Sequence, residues 1–249
     1  MNAILLSSGR GERLIPLTNK TQKVMLPIEG KPLIQHWIER LEKQNIKNIG
    51  INLGYLGYQI EDYFDDGKRF GTRINYLREE YVSGNLLGTA TPIKKIEQLY
   101  PGFCSSEPFF VIYADNLSNM DLGKVISFHK EHQSIATITL HHHKDPWTKG
   151  IVQTDKNKRI ISFIEKPPKE SILTKKIIGE PASCVMLFEP EILDYLSNKK
   201  EDLGTDIFPK ILENGEKMFA FNPNAYVQDI GTIEGYKKAQ IDARRGLLK

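Results

Sequence analysis

Ile34, Trp37, Ile38 and Leu41 fall at i, i+3, i+4 and i+7, the spacing of one helix face, and predict an amphipathic helix over residues 33–43. Short continuous apolar runs at 3–6, 49–53, 74–77 and 109–113 have the length of buried strands instead. Helical patterns at 58–64, 91–99 and 122–132 alternate with them. This order predicts a mostly parallel twisted sheet with helices on both faces. The second half is less regular. Strands are expected at 136–141, 151–154, 159–165, 183–188 and 225–228, with a hairpin turn at Asp155-Lys156-Asn157-Lys158. Helices are expected at 190–196, 206–213 and 233–246. The whole reads as a single α/β domain over 1–249, with a smaller mixed β region in its second half.

Composition narrows the class. The chain has 249 residues, 40% of them hydrophobic and 26% charged, enough for one large globular domain. A net charge of +3 with dispersed lysines and arginines gives no footprint for nucleic acid, and no nucleic-acid partner is expected. Cys104 and Cys184 lie far apart and fit the reduced thiols of a cytoplasm. The first residues do not have the form of a secretory signal, and no apolar run approaches the roughly 20 residues that cross a bilayer. A cytoplasmic location without a membrane partner is therefore expected. No internal repeat, low-complexity stretch or linker is visible, and a tail of hexapeptide-type repeats is not expected. A homo-oligomer is left open.

The densest chemistry lies just after the first predicted strand, in Ser7-Ser8-Gly9-Arg10-Gly11-Glu12-Arg13-Leu14-Ile15-Pro16-Leu17-Thr18. A Walker-type loop needs G-x-x-x-x-G-K-[ST], which is missing. A dinucleotide fingerprint needs a third small residue where Leu14 stands, and Pro16 would remove a donor from the helix it opens. The remaining reading is an extended cationic loop. Its glycines let backbone N–H groups approach phosphate oxygens, Arg13 offers a bidentate fork and Lys23 a point charge. Arg10, Lys20 and Lys31 add to the positive field. Taken alone, Gly-x-Gly-x-Arg also fits a solvated loop.

Two aspartates stand at predicted strand ends: Asp115 after 109–113, and Asp229 after 225–228. Ligands of open α/β sheets collect at such ends. Two carboxylates there suit one hard divalent ion, Mg2+, that also binds phosphate oxygens. Either aspartate alone equally fits the cap of a turn or helix. Together with the loop, metal binding is the favoured reading.

With Gln22-Lys23-Val24-Met25-Leu26-Pro27 and Gly30-Lys31-Pro32 added, the loop resembles the N-terminal motif of the sugar-1-phosphate nucleotidylyltransferases. That motif is usually written G-x-G-x-R-L-x-P-L-T, then P-K-P-[ML]-x-P, then G-K-P. Gly88-Thr89-Ala90, Asp115-Asn116, Glu165-Lys166-Pro167 and Asp229-Ile230-Gly231-Thr232 extend the resemblance over nearly the whole chain. The family usually has Ala or Gly at positions 7 and 8, and a proline where Gln22 stands.

The resemblance implies a Rossmann-like nucleotidyltransferase fold, with a nucleotide-binding half at 1–135 and a sugar-phosphate-binding half at 136–249. It implies an in-line reaction, in which a sugar 1-phosphate attacks the α-phosphorus of a nucleoside triphosphate (NTP) and pyrophosphate leaves. Leu6, Ser7, Ser8, Gly9, Gly11, Glu79, Gly88 and Thr89 would bind the nucleotide. Arg13 would hold the triphosphate and Lys23 the α-phosphate side. Gly150, Glu165 and Lys166 would bind the sugar phosphate, and Asp115 and Asp229 the magnesium.

In the family, the segment around Arg78-Glu79-Glu80 meets the base. Glu79 takes the place where thymidylyl and uridylyl enzymes often have glutamine. An acceptor-only carboxylate matches the two adjacent donors of guanine, so GTP is favoured over UTP, dTTP and CTP. Mannose or a related hexose or heptose 1-phosphate follows by association. Two other classes compete: a non-catalytic sensor of sugar nucleotides, and a glycosyltransferase with an Asp-x-Asp metal motif. Arg13, Asp115 and Asp229 are all present, against the first. Asp115-Asn116-Leu117 does not complete the motif of the second. His141-His142-His143 reads as a partly exposed strand end in which at most the outer two side chains converge, and His129 and His132 as surface residues of one helix.

Overall fold

A computed structural model describes residues 1–79 and 86–248. In chain order, the first half contains β1 (Asn2–Leu6), β2 (Pro27–Ile28), β3 (Lys31–Pro32), α1 (Leu33–Lys43), β4 (Asn48–Leu53), α2 (Tyr58–Phe64), β5 (Arg73–Arg78), α3 (Thr91–Leu99), β6 (Phe109–Tyr113), β7 (Asn116–Ser118) and α4 (Leu122–His132). The second half adds β8 (Ala136–Leu140), β9 (Ile151–Thr154), β10 (Ile160–Ile164), α5 (Lys169–Leu173), β11 (Glu180–Phe188), α6 (Phe208–Glu213), β12 (Met218–Phe221), β13 (Val227–Asp229) and α7 (Ile233–Arg244).

Alternation along β1 organises the core. Ala3 and Leu5 point into one apolar cluster, with α1, α2 and α4; Ile4 and Leu6 point into the other, with α3 and α6. Burial on both faces explains why β1 reads as a continuous apolar run. The central strands run parallel in the order β5-β4-β1-β6. Beyond β6 the sheet turns antiparallel. The long β11 pairs with β6 along its second half, with β8 from Ala182 to Phe188 and with β9 at its start, and β10 and β12 complete the nine strands. The single α/β domain and its mixed second region are as the residue pattern predicts.

Helices α1, α2, α3 and α4 occupy the predicted ranges. The expected helix at 190–196 is a 3-10 turn over Pro190–Tyr195. The one at 206–213 begins earlier, with a wider π-type turn at Leu203–Ile207. His129 is no surface residue. Its ring is buried, 2.8 Å from Thr137 Oγ1 and 3.1 Å from Glu189 Oε1. Both cysteines are buried and unpaired. Among the described residues, no helix is long and apolar enough to cross a membrane.

Candidate active site

The carboxyl ends of β1, β4, β5 and β6 open on one edge of the sheet, and the connections leaving them build the site. After β1 the chain passes Ser7, Ser8 and Gly9 to Gly11, whose φ of 69° is left-handed. A Cβ at Gly11 would stand 3.0 Å from Thr18 and 3.2 Å from Lys23. Thr18 Oγ1 donates to the Gly11 carbonyl at 2.8 Å. The buried Gln22 donates to the Ser7 carbonyl at 2.5 Å and accepts from the Val24 N–H at 2.6 Å, so this departure from the usual proline braces the loop. The Ser7 N–H and hydroxyl both donate to Asn52, at 2.6 Å each. Asn52 Nδ2 donates to Glu79 Oε1 at 2.7 Å, and the Leu87 N–H to Glu79 Oε2 at 3.1 Å. Glu79 is therefore buried at the end of β5, linked through Asn52 to Ser7 and the start of the loop. Glu80 lies outside the described residues.

A cavity of about 360 Å³ lies at this edge of the sheet. Of the residues singled out in the sequence, Arg13, Thr89, Asp115, Gly150, Glu165, Lys166 and Asp229 line it. Leu6, Ser7, Ser8, Gly9, Gly11, Lys23, Glu79 and Gly88 are not in its wall. Lys23 nevertheless reaches Asp115, with Nζ 2.6 Å from Oδ2. Gly9 lies beside that ammonium, where a Cβ would approach to 3.5 Å.

The two aspartates meet for a topological reason. β13 pairs antiparallel with β7, Asp229 opposite Asn116, and the Ile230 N–H donates to the Asp115 carbonyl at 3.1 Å. Asp115 Oδ1 accepts from Asn116 Nδ2 at 2.9 Å. Asp229 Oδ1 accepts from the Gly231 N–H at 2.6 Å, and Oδ2 lies 2.7 Å from Lys149 Nζ. Burial pushes the Asp229 carboxyl up, but the Lys149 charge and hydrogen bond, the Gly231 N–H and the Lys23 charge outweigh it and hold the group below the usual carboxylate value. A Cβ on Gly231 would meet Asp229 Oδ1 at 2.8 Å and Arg13 Nη2 at 2.9 Å, so glycine lets the guanidinium come close. Arg13 itself is exposed, and no hydrogen bond or ion pair engages its guanidinium among the described residues.

On the opposite wall, Glu165 packs against two glycines. A Cβ would fall 2.9 Å from Glu165 Oε2 at Gly150 and 2.7 Å at Gly204. Lys166 pairs with Glu165 at 3.3 Å and is 69% exposed. Thr89 donates from its N–H and hydroxyl to Asp202 Oδ1 at 3.0 and 3.1 Å, and Gly88, at φ 83°, comes close to the Glu201 carbonyl. The 88–89 turn is thus fastened to the segment that carries Gly204. Not every expected cation stays available: Lys31 pairs with Glu39, and Arg10 lies over the Tyr55 ring near Glu12. His141 turns inward and is buried, which corrects its reading as part of an exposed strand end. Its ring lies 5.6 Å from that of His143, and burial holds its pKa at about 4.

A family model for nucleotidyl transferases matches residues 2–246. The chain belongs to this family. It is 36% identical over 247 residues to the UTP–glucose-1-phosphate uridylyltransferase of Synechocystis, covering 96% of this chain and 62% of that protein. It is 29% identical over 252 residues to the mannose-1-phosphate guanylyltransferase of Mycobacterium tuberculosis, covering 99% and 66%. The chain thus spans somewhat less than two thirds of the length of these relatives. A crystal structure of HddC from Yersinia pseudotuberculosis complexed with GMP-PN superposes with a TM-score of 0.75 at 25% identity, covering 97% of this chain and 99% of that one. Lys149, Asn52 and Asp202 do not stand out in the sequence of this chain. Lys149 stands next to the noted Gly150, but nothing in the spacing places its ammonium on a carboxylate 80 residues away.

Proposed function

We propose that this chain transfers a nucleotidyl group from an NTP to a sugar 1-phosphate, giving a nucleotide sugar and pyrophosphate. The observation that carries this reading is one cavity in which Arg13, without a hydrogen-bond or ion-pair partner among the described residues, faces Asp115, Asp229 and the Glu165-Lys166 wall. A phosphate oxygen of the sugar phosphate forms a bond to the α-phosphorus as the bond to the β-phosphate bridging oxygen breaks. The nucleophile is already an anion, so no base is required. The obstacle is repulsion between two polyanions, which preorganised cations relieve. Arg13 takes the triphosphate, Lys23 the α-phosphate side and Lys166 the sugar phosphate. Glu165 accepts from sugar hydroxyls beside Gly150.

Asp115 and Asp229 offer hard oxygen donors in one cavity wall and fit Mg2+ once their lysine partners turn aside. Among the described residues no group of three or more acidic, histidine or cysteine side chains stands ready to hold a metal ion, so this reading rests on the two carboxylates alone. When bound, such an ion supplies charge neutralisation to the phosphates.

GTP is the favoured donor. The Glu79 carboxylate lies outside the cavity wall and each of its oxygens already accepts one hydrogen bond, from Asn52 or Leu87, so the support for guanine is its acceptor-only chemistry. The guanylyltransferase relative and the GMP-PN complex support this. The 36% identical uridylyltransferase favours UTP as the second reading. Pyrophosphate release measured across GTP, UTP, dTTP and CTP with several sugar 1-phosphates decides between them. The expected result is the highest kcat/KM with GTP. Higher efficiency with UTP would replace the base assignment, and no pyrophosphate with any pair would overturn the reaction.

A further inference from the structure

Beside the cavity groups already assigned, Lys149 has no role in the scheme above, yet it lines the same cavity. Its side chain is 20% exposed, and its carbonyl accepts from the Lys166 N–H at 3.2 Å. The next residue, Gly150, is pinned because a Cβ there would meet the Phe163 ring at 2.2 Å. The backbone therefore fixes Lys149 beside Lys166. Among the described residues its ammonium has a single acceptor, Asp229 Oδ2 at 2.7 Å, so two of its three N–H donors are unclaimed. A bridge that served only to stabilise the fold would gain little here, because a partly buried ion pair roughly breaks even against its desolvation.

We propose that Lys149 is a phosphate-binding cation for the sugar 1-phosphate, held in reserve by Asp229. The inference rests on the proposed transferase reaction and assigns a residue which that reaction leaves unused. Charge arithmetic supports it. Arg13 and Lys23 come from the N-terminal loop, while Lys149 and Lys166 come from the segments that carry Gly150 and Glu165, the Lys149 ammonium reaching across to Asp229. Each of two anionic reactants then meets a pair of cations. The buried His141 and the neighbouring His143, both shifted by burial toward the neutral form, add no standing charge there. A cation taken up by Asp229 would displace the ammonium, and its free donors then turn to the incoming phosphate through charge-assisted hydrogen bonds.

The test is equilibrium binding by calorimetry, with and without magnesium, on the full chain and its Lys149→Met and Lys149→Arg variants. The probes are mannose 1-phosphate, glucose 1-phosphate, unphosphorylated mannose and GTP. Lys149→Met is expected to weaken sugar 1-phosphate binding by about tenfold or more, and Lys149→Arg to restore most of it. GTP affinity should stay within about twofold, and thermal unfolding should report an intact fold. Equal sugar 1-phosphate affinity in Lys149→Met and wild type would overturn the proposal, as would a matching loss for GTP, which would put the cation on the triphosphate. If the wild type binds a sugar 1-phosphate and releases pyrophosphate while Lys149→Met binds it equally well, the role of Lys149 alone falls. If the wild type binds no sugar 1-phosphate, the transferase reading falls with it.

Discussion

Lys23 lies 92 residues before Asp115, and its ammonium stands 2.6 Å from that carboxylate. This contact joins the N-terminal loop to the end of β6 and places the loop's cation against a candidate metal ligand. Replacing the lysine by methionine removes the charge that the proposed reaction assigns to the α-phosphate side while leaving the Asn116 hydrogen bond to Asp115. Lys23→Met should lower kcat by about 10²–10³ with a smaller change in KM, as read from steady-state pyrophosphate release. A kcat within a factor of two or three of wild type would remove Lys23 from the reacting centre.

Glu79 and Asn52 share a 2.7 Å hydrogen bond at the ends of β5 and β4. Glutamine at position 79 keeps the shape but replaces one acceptor oxygen by a donor. Glu79→Gln should cut kcat/KM for GTP by about tenfold and raise the relative rate with UTP. An unchanged GTP-to-UTP ratio would take the residue out of base recognition.

At position 150 the space for a β-carbon is already taken by Phe163 and Glu165 Oε2. Gly150→Ala should therefore destabilise the fold by about 1–3 kcal/mol and raise KM for the sugar 1-phosphate more than for the NTP. Urea unfolding and paired KM measurements check both. Equal effects on the two substrates would show that Gly150 does not border the sugar site.

Burial holds the His129 imidazole at a pKa of about 4, below its ordinary 6.5. The unfolded chain takes up this proton near pH 6.5 and the folded chain only near pH 4. Between those values the unfolded state binds more protons, so stability is complete above about pH 6.5 and falls as the pH drops toward 4. The loss at the acid end is on the order of 3 kcal/mol. His141 shares the direction and the window. His129→Gln should flatten the decline between pH 7 and 4.5 in denaturant midpoints, and an unaltered slope would contradict this origin.

The sequence and the structure agree best where a period of 3.6 or a short apolar run decides the element. Helix α1 is an example: its buried Ile34, Trp37, Ile38 and Leu41 form the predicted face. Strand β12 (Met218–Phe221) was not predicted; it pairs with β8 at a sheet edge that tertiary contacts create. The two-residue strands β2 and β3 and the three-residue β7 likewise depend on partners more than on pattern. His129 misled because a polar residue on a helix reads as exposed, while its partners Thr137 and Glu189 lie eight and 60 residues on. The loop, both aspartates and the 165–166 pair were legible as types at strand ends. Their polar supports were not: Asn52 is a buried strand residue, and Asp202 and Lys149 gain meaning only through distant partners.

Pyrophosphate release from GTP and mannose 1-phosphate, compared between the wild type and Asp115→Asn across a magnesium titration, tests the central claim most directly. That claim is that one cavity holds both anionic reactants around Asp115. The account predicts magnesium-dependent turnover in the wild type and a loss of about 10²–10³ in the variant, with an unchanged circular dichroism spectrum. Near-normal magnesium-dependent turnover by Asp115→Asn would contradict it.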